Sequence, residues 1–342
     1  MPSGDPMTRP ILEAQNLRVR YPSGTLTDRL LGRGPRHVTV LPDVSLSVEA
    51  GQTLGLIGES GSGKTTLGRA AIGLAPISGG SIRVGDATAT SEDAPEWAGI
   101  RRRTSMMFQD AVASLDPRMT LGTSVTEPLA IAGGFSGNRR DKAAELLGLV
   151  GLSPDFADRY PHQISGGQAR RVTVARALAL EPDLVIADEP TAGLDLSVQG
   201  ELLNLLGELQ SRLGVSFLFI THNLSVARHV TNRIAIMYLG RIVEEAPTET
   251  IFSAPEHPYT RALIGAREAT GGGGLIEGDV PSLTRRPEGC EFRTRCPLAT
   301  DLCAAKAPAL REIAPGHTAS CHYAGQPAGV SHPEPAANRI SP

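Results

Sequence analysis

The run Gly58-Glu59-Ser60-Gly61-Ser62-Gly63-Lys64-Thr65 has the spacing G-x-x-x-x-G-K-S/T. Glycines at such spacing let backbone N–H groups curl round phosphate oxygens. A helix starting at the end of the run adds the positive end of its dipole. Lys64 is then placed to reach the β- and γ-phosphates of ATP, and Thr65 and Thr66 open the helix, with the Thr65 hydroxyl on Mg²⁺. A glycine-rich turn that matches by accident is the bland reading, and a strand before the run and a helix after it weigh against that. Asp188 and Glu189 end the apolar run Leu184-Val185-Ile186-Ala187. Carboxylates at a strand's C-terminal tip face the crevice where α/β sheets bind ligands. Asp188 suits the Mg²⁺ shell, and Glu189 suits a base that takes a proton from an attacking water. Two adjacent carboxylates by themselves are ordinarily a solvated loop, so this reading depends on Lys64.

Weaker signals lie around these. Gln109 in Phe108-Gln109-Asp110 would ordinarily be a surface residue, and His222 in Thr221-His222-Asn223 a structural histidine. Ser165-Gly166-Gly167-Gln168 fits either a plain turn or a second phosphate-binding helix start. Arg101-Arg102-Arg103 and Arg170-Arg171 read as solvated basic patches with no nucleic-acid role. All four cysteines, Cys290, Cys296, Cys303 and Cys321, fall in one short segment, and the preceding 289 residues have none. In a reducing compartment such clustering reads as metal or cluster ligation before disulfides. The intervening spacings of 5, 6 and 17 residues lack the paired C-x₂-C knuckles of structural zinc. Four thiolates suit a 4Fe–4S cluster. Zn²⁺ and free or paired cysteines are the alternatives.

The elements that must position these groups read as an α/β chain. Ile11–Tyr21 and the alternating Val44–Val48 predict strands, and Thr53–Ile57 is a short apolar strand running into the glycine-rich turn. Thr65–Leu74, Arg139–Gly151 and Val198–Leu213 have helical spacing, while Leu184–Ala187 and Phe217–Ile220 suit buried parallel strands. Thr25–His37 reads as an inserted loop, Gly271–Gly274 as a linker, and Gly325–Pro342 as a disordered tail. At 342 residues the chain fits one large domain plus an appendage. The division expected is 1–250, with a helical subdomain near 111–175, then a cysteine-bearing domain at 251–324 and the tail. A net charge of -3 points away from nucleic acid, and no apolar run reaches the ~18 residues of a membrane span. The first 17 residues lack a signal-peptide core, so a cytoplasmic location is expected.

Taken in order, these residues resemble the ATP-binding cassette (ABC) family from about Ile11 to Ala246. The P-loop, the glutamine loop at Gln109, the signature Ile164-Ser165-Gly166-Gly167-Gln168, the acidic pair Asp188-Glu189, a D-loop Ala192-Gly193-Leu194-Asp195 and a switch histidine at His222 all occur in the family's sequence. Ile164 stands where Leu is commoner and Gly193 where Ala is common; neither change removes a chemical group. A narrower resemblance is to the ATPases of dipeptide, oligopeptide and nickel importers. It rests on Ser114-Leu115-Asp116-Pro117-Arg118-Met119, Tyr160-Pro161-His162-Gln163, His257-Pro258-Tyr259-Thr260, Pro281-Ser282-Leu283 and the four cysteines. Gly63 to Arg69 is similar to the second of the two paired ATPases of such importers.

The resemblance implies an ABC nucleotide-binding fold with a P-loop core, an antiparallel subdomain and a helical subdomain. It implies that Tyr21 stacks on adenine, that Gln109 joins the Mg²⁺ shell, and that Gln109 and the helical subdomain contact a permease. Ser165, Gly166 and Gly167, with Gln168, would grip the nucleotide of a partner cassette in a head-to-tail dimer, with Asp195 at the same interface. The family also implies a 4Fe–4S cluster on the four cysteines. The expected function is ATP hydrolysis energising import of dipeptides or oligopeptides, with nickel or another small solute as the alternative. The expected partners are a second, different cassette, two transmembrane permeases and, through them, an extracytoplasmic solute-binding protein, with the chain at the cytoplasmic face of the membrane. A soluble ABC ATPase acting on DNA or ribosomes would need a long coiled coil or a second cassette. A regulatory module without turnover would not need Glu189.

Overall fold

The computed structural model describes residues 10–23, 36–133, 135–268 and 278–326. Strands β1 (Pro10–Ser23) and β2 (Arg36–Glu49) form an antiparallel ribbon. Strand β3 (Thr53–Ile57) then enters the core with every residue buried, as a continuous apolar run predicts for a central parallel strand. Helix α1 (Lys64–Ala71) follows, then β4 (Ile77–Val84) and β5 (Ala87–Ala89), which complete a four-stranded sheet in the order β2-β1-β4-β5. The expected helix at 65–74 starts one residue earlier and stops at Ala71. Gly73 takes φ +70°, and a Cβ there would lie 2.6 Å from the Trp97 ring. The chain must therefore turn where spacing alone would extend the helix.

Helix α2 (Trp97–Arg103) leads into β6 (Thr104–Met107). The helical subdomain comprises α3 (Leu121–Ala132), α4 (Arg139–Leu149) and α5 (Gly166–Leu178). Strand β7 (Leu184–Asp188), α6 (Leu196–Leu213), β8 (Ser216–Thr221), α7 (Leu224–Val230) and β9 (Arg233–Tyr238) build the parallel core, and β10 (Arg241–Pro247) returns antiparallel to β9. After α8 (Thr248–Ser253), α9 (Pro258–Glu268) and α10 (Asp301–Ala305) come β11 (Arg311–Ala314) and β12 (His317–Ala319). The large sheet runs β11-β12-β10-β9-β3-β8-β7-β6.

The cysteine-bearing region thus adds two strands to the cassette's own sheet. Glu244 and Glu245 on β10 pair with Ala319 and Thr318 on β12. Glu244, fully buried, accepts hydrogen bonds from the backbone of Glu256 and His257 and from Nε2 of His317. Buried carboxylates persist only with such partners, so this junction is a fixed one. Tyr259, Ile264 and Phe292 share one apolar cluster with Ile234, Ile236, Tyr238 and Val243. The expected inserted loop lies outside the described residues except for Arg36 and His37, which open β2. The expected linker and all but the first two residues of the expected tail also lie outside them. No helix among the described residues is long and apolar enough to cross a membrane.

Candidate functional site

Strand order creates the site. Strands β3, β8, β7 and β6 are parallel neighbours, so the segments leaving their C-terminal ends open on one edge. The glycine-rich loop follows β3, His222 follows β8, Asp188 and Glu189 end β7, and Gln109 lies just past β6. One cavity is lined by Gly58, Glu59, Ser60, Gly61, Gly63, Lys64, Thr65, Thr66, Gln109, Glu189 and His222. Asp188 opens on the adjoining groove, which Thr65 and Gln109 also line.

Two glycines are geometrically required. A Cβ on Gly58 would stand 2.2 Å from the Met237 carbonyl oxygen, and Gly63 caps α1 at φ +102°. Ser62 is buried beneath the loop. The Lys64 ammonium, itself buried, donates to the carbonyls of Gly58 (2.7 Å) and Glu59 (2.9 Å) and lies 3.4 Å from Ser62 Oγ. Burial lowers its pKa, and the charges of Glu189, Asp188 and Glu59 oppose that shift.

Thr65 Oγ1 donates to Asp188 Oδ1 at 3.1 Å. Burial pushes the Asp188 carboxyl up, the Thr65 hydrogen bond pulls it back, and the Glu189 charge raises it further. Two hard oxygen donors side by side, one of them a carboxylate short of positive charge, fit Mg²⁺. Glu189 sits at φ +48°, a strained value for a residue with a side chain, and its N–H is held by the Ile220 carbonyl. Its Oε1 lies 2.7 Å from His222 Nδ1, and its Oε2 accepts from Thr221 Oγ1 at 3.3 Å. An ionised carboxylate only accepts, so Nδ1 of His222 carries the proton in this contact. The pair can hold a water-activating carboxylate in one orientation.

The signature stands away from this cavity. Ser165 caps α5, accepting from the Gln168 N–H, while the Gln168 side chain accepts from the Ser165 N–H. Gly166 is exposed beside it, and Gly167 is packed so that a Cβ would meet Val198 Cγ1 at 2.8 Å. Asp195 caps α6 through Val198 N at 3.0 Å, leaving Leu196 87% exposed. Tyr21 pairs with Val38 at the end of β1 and packs on the core, two residues along β2 from Val40, which lines the cavity.

The two arginine runs are solvated only in part: Arg101 and Arg102 are exposed as expected, while Arg101, Arg103, Arg170 and Arg171 each have a hydrogen-bond partner elsewhere in the chain. Arg101 donates to the carbonyls of Ile72 and Gly73, Arg103 pairs with Asp183, and Arg171 bonds Val150 and Glu201. Arg170 is buried and reaches the carbonyls of Phe108 and Ala192, joining the segment before Gln109 to the one before Asp195. Their carbonyl partners are far away in the chain, which is why a charge run looked solvated.

The four cysteines line one cavity, with Cys303 buried and the other three half-buried. Burial pushes the Cys290 thiol up to about 11 and Cys296 up to about 12, and raises Cys321. The expected cluster nonetheless has no preformed ligand set. Among the described residues no group of three or more His, Cys, Asp or Glu is arranged to hold a metal ion. Three residues escaped sequence reasoning as site groups: Glu59 within the glycine-rich loop, and Tyr259 and Arg295 beside it.

The ABC transporter family model matches residues 41–192, and that of the oligopeptide/dipeptide transporter C-terminal region matches 243–303. A putative peptide import ATP-binding protein of Brucella ovis is 43% identical over 318 residues, covering 91% of this chain and 97% of its own length. Another of that description from Brucella abortus is 46% identical over 284 residues, covering 82% and 85%. A dimeric ATP-binding cassette solved in a post-hydrolysis state with ADP and Pi superposes with a TM-score of 0.59 at 30% identity, covering 69% of this chain and 98% of that one.

Proposed function

The chain belongs to the ABC transporter family, with an oligopeptide/dipeptide transporter C-terminal region, and from that premise we propose that it is the ATP-hydrolysing subunit of a peptide importer. The observation that carries this reading is the convergence of Lys64, Thr65, Glu189 and His222 on one cavity, with Asp188 hydrogen-bonded to Thr65. Lys64 offsets phosphate charge, and the N–H groups of the loop orient the phosphates. Thr65 and Asp188, with Gln109, would hold Mg²⁺, which supplies charge neutralisation to the transferred phosphoryl group. Glu189, aligned by His222 Nδ1, takes the proton of the attacking water at a carboxylate oxygen. The D-loop Asp195 and the signature residues Ser165, Gly166, Gly167 and Gln168 act on the nucleotide of a second cassette. Support for that is the exposure of Ser165, Gly166 and Asp195, and the absence of all five residues from this chain's own cavity lining.

A groove between the core and the helical subdomain exposes Leu74, Phe108 and Ile131 beside Gln109. This groove receives a permease subunit, which places the chain peripherally at the cytoplasmic face, with a solute-binding protein acting through the permeases. Purification from membranes with two multi-spanning permeases and a second, different cassette is the expected result. A chain recovered alone, with turnover indifferent to peptide and solute-binding protein, would contradict the importer role.

Because Cys290, Cys296, Cys303 and Cys321 all line one cavity, they are proposed to hold a 4Fe–4S cluster, with Zn²⁺ as the alternative. Such a centre would cross-link a segment with few apolar residues of its own. Holding such a centre would require the four thiols to lose their protons. Anaerobic purification should give a brown protein with about four irons and four labile sulfides per chain. A colourless protein with one zinc would decide for the alternative, and one with no metal would reject both.

A further inference from the structure

The phosphate-binding loop is held from outside the cassette motifs. Each polar group of Glu59, the residue after Gly58, is engaged. Its N–H donates to the Tyr259 hydroxyl at 2.9 Å, and its carbonyl accepts from Lys64 Nζ at 2.9 Å. Its carboxylate takes both terminal nitrogens of Arg295, at 2.6 and 3.0 Å. Two-point pairing of this kind fixes angle as well as distance.

The mount is itself rigid. Tyr259 is fully buried, and the Arg295 side chain is 5% exposed. Arg295 closes a turn with its N–H on the Phe292 carbonyl, and Phe292 packs against the Tyr238 and Tyr259 rings at 5.3 and 5.4 Å between centroids. The Arg295 guanidinium lies 5.9 Å over the Tyr238 ring. Leu263 and Leu283, from the same C-terminal region, line the nucleotide cavity.

A carboxylate on a phosphate-binding loop is electrostatically unfavourable, because it faces an incoming polyanion. Arg295 cancels that charge at the shortest range and stops Glu59 from swinging toward the phosphates or drawing Lys64 away from them. We infer that Arg295 and Tyr259 form a clamp that presets the P-loop for nucleotide, so that the C-terminal region is part of the ATP site and Arg295 is a positioning residue for it. The inference rests on the ATPase reading above.

The test compares ATP affinity of the full chain, and KM against kcat of the chain with its copurifying subunits, across a short series. Arg295→Ala is expected to weaken ATP binding and raise KM about tenfold or more, with kcat at saturating ATP within about threefold. Adding Glu59→Gln to Arg295→Ala should restore affinity to within about threefold of the unmodified protein, because the unpaired charge is gone. Arg295→Lys should fall between, keeping the charge and losing the fork. A merely structural arginine would lower stability and activity together, with no rescue from Glu59→Gln. Affinity of Arg295→Ala within about twofold of the unmodified protein, or failure of the rescue, overturns the clamp. Should Arg295→Ala not fold, Tyr259→Phe decides: about threefold weaker ATP binding is expected, and unchanged affinity overturns the proposal. Equal ATP binding by the unmodified chain and Lys64→Ala would instead refute the ATPase reading itself.

Discussion

Replacing Glu189 by Gln is expected to leave ATP binding intact and to lower turnover ~10²–10⁴-fold, about 3–5 kcal/mol of barrier. The amide keeps the volume of the carboxylate but cannot take a proton from water. The structure adds a reason to expect a clean effect. Glu189 is held on three sides, by the Ile220 carbonyl, Thr221 Oγ1 and His222 Nδ1, so the amide should occupy the same place. Thr221 and His222 both donate to the carboxylate, and the amide has one acceptor oxygen where the carboxylate has two, so either orientation sets its NH₂ against a donor and a small loss of stability accompanies the change. The measurement is steady-state phosphate release beside ATP affinity. With hydrolysis blocked, the variant mixed with its partner cassette should collect as an ATP-bound dimer on gel filtration, and adding Ser165→Arg should weaken that dimer. Turnover within about threefold of the unmodified chain would remove Glu189 as the base. A dimer of undiminished stability with Ser165→Arg would remove the signature from the partner's site.

Lys64→Ala should weaken ATP binding by ~10²–10⁴-fold, from the loss of two charge-assisted hydrogen bonds worth about 1.5–3 kcal/mol each. The ammonium is already poised for this. It is buried and satisfied by carbonyls of its own loop, and its lowered pKa reflects burial, so no large rearrangement separates it from a phosphate. Its removal leaves no hole in an apolar cluster, since Lys64 belongs to none. The melting temperature should therefore move by only about 4 °C or less while binding is lost. Titration with MgATP and thermal unfolding of the same samples check both halves. Undiminished affinity would exclude the P-loop role, and a collapsed melting curve would make the binding loss uninformative about phosphate contact.

The sequence by itself determined the chemistry of each local piece. A strand, a glycine-rich turn, Lys64 and a helix start form within a dozen residues, because backbone N–H groups can ring a phosphate only if they are consecutive. Strands β3, β7 and β8 were legible within a residue or so for a similar reason: a parallel strand buried on both faces must be apolar throughout. Tertiary structure decided what no window of sequence contains. Thr65 meets Asp188 across 123 positions only because β7 lies two places from β3 in the sheet, with β8 between them. Glu189 meets His222 because β7 and β8 end side by side. Arg170 looked like half of a solvated pair and is buried, since its partners are carbonyls from two distant loops. The α1 helix ends before the left-handed turn at Gly73, where the Trp97 ring from another segment fills the space of a Cβ. Arg295 reaches Glu59 across 236 positions because its turn is seated by Phe292 on the Tyr238 and Tyr259 rings. Local pattern encodes which groups are present. Hydrogen bonds and ion pairs between distant segments are set by strand order and by the packing of whole elements, and they leave no periodic trace in the chain.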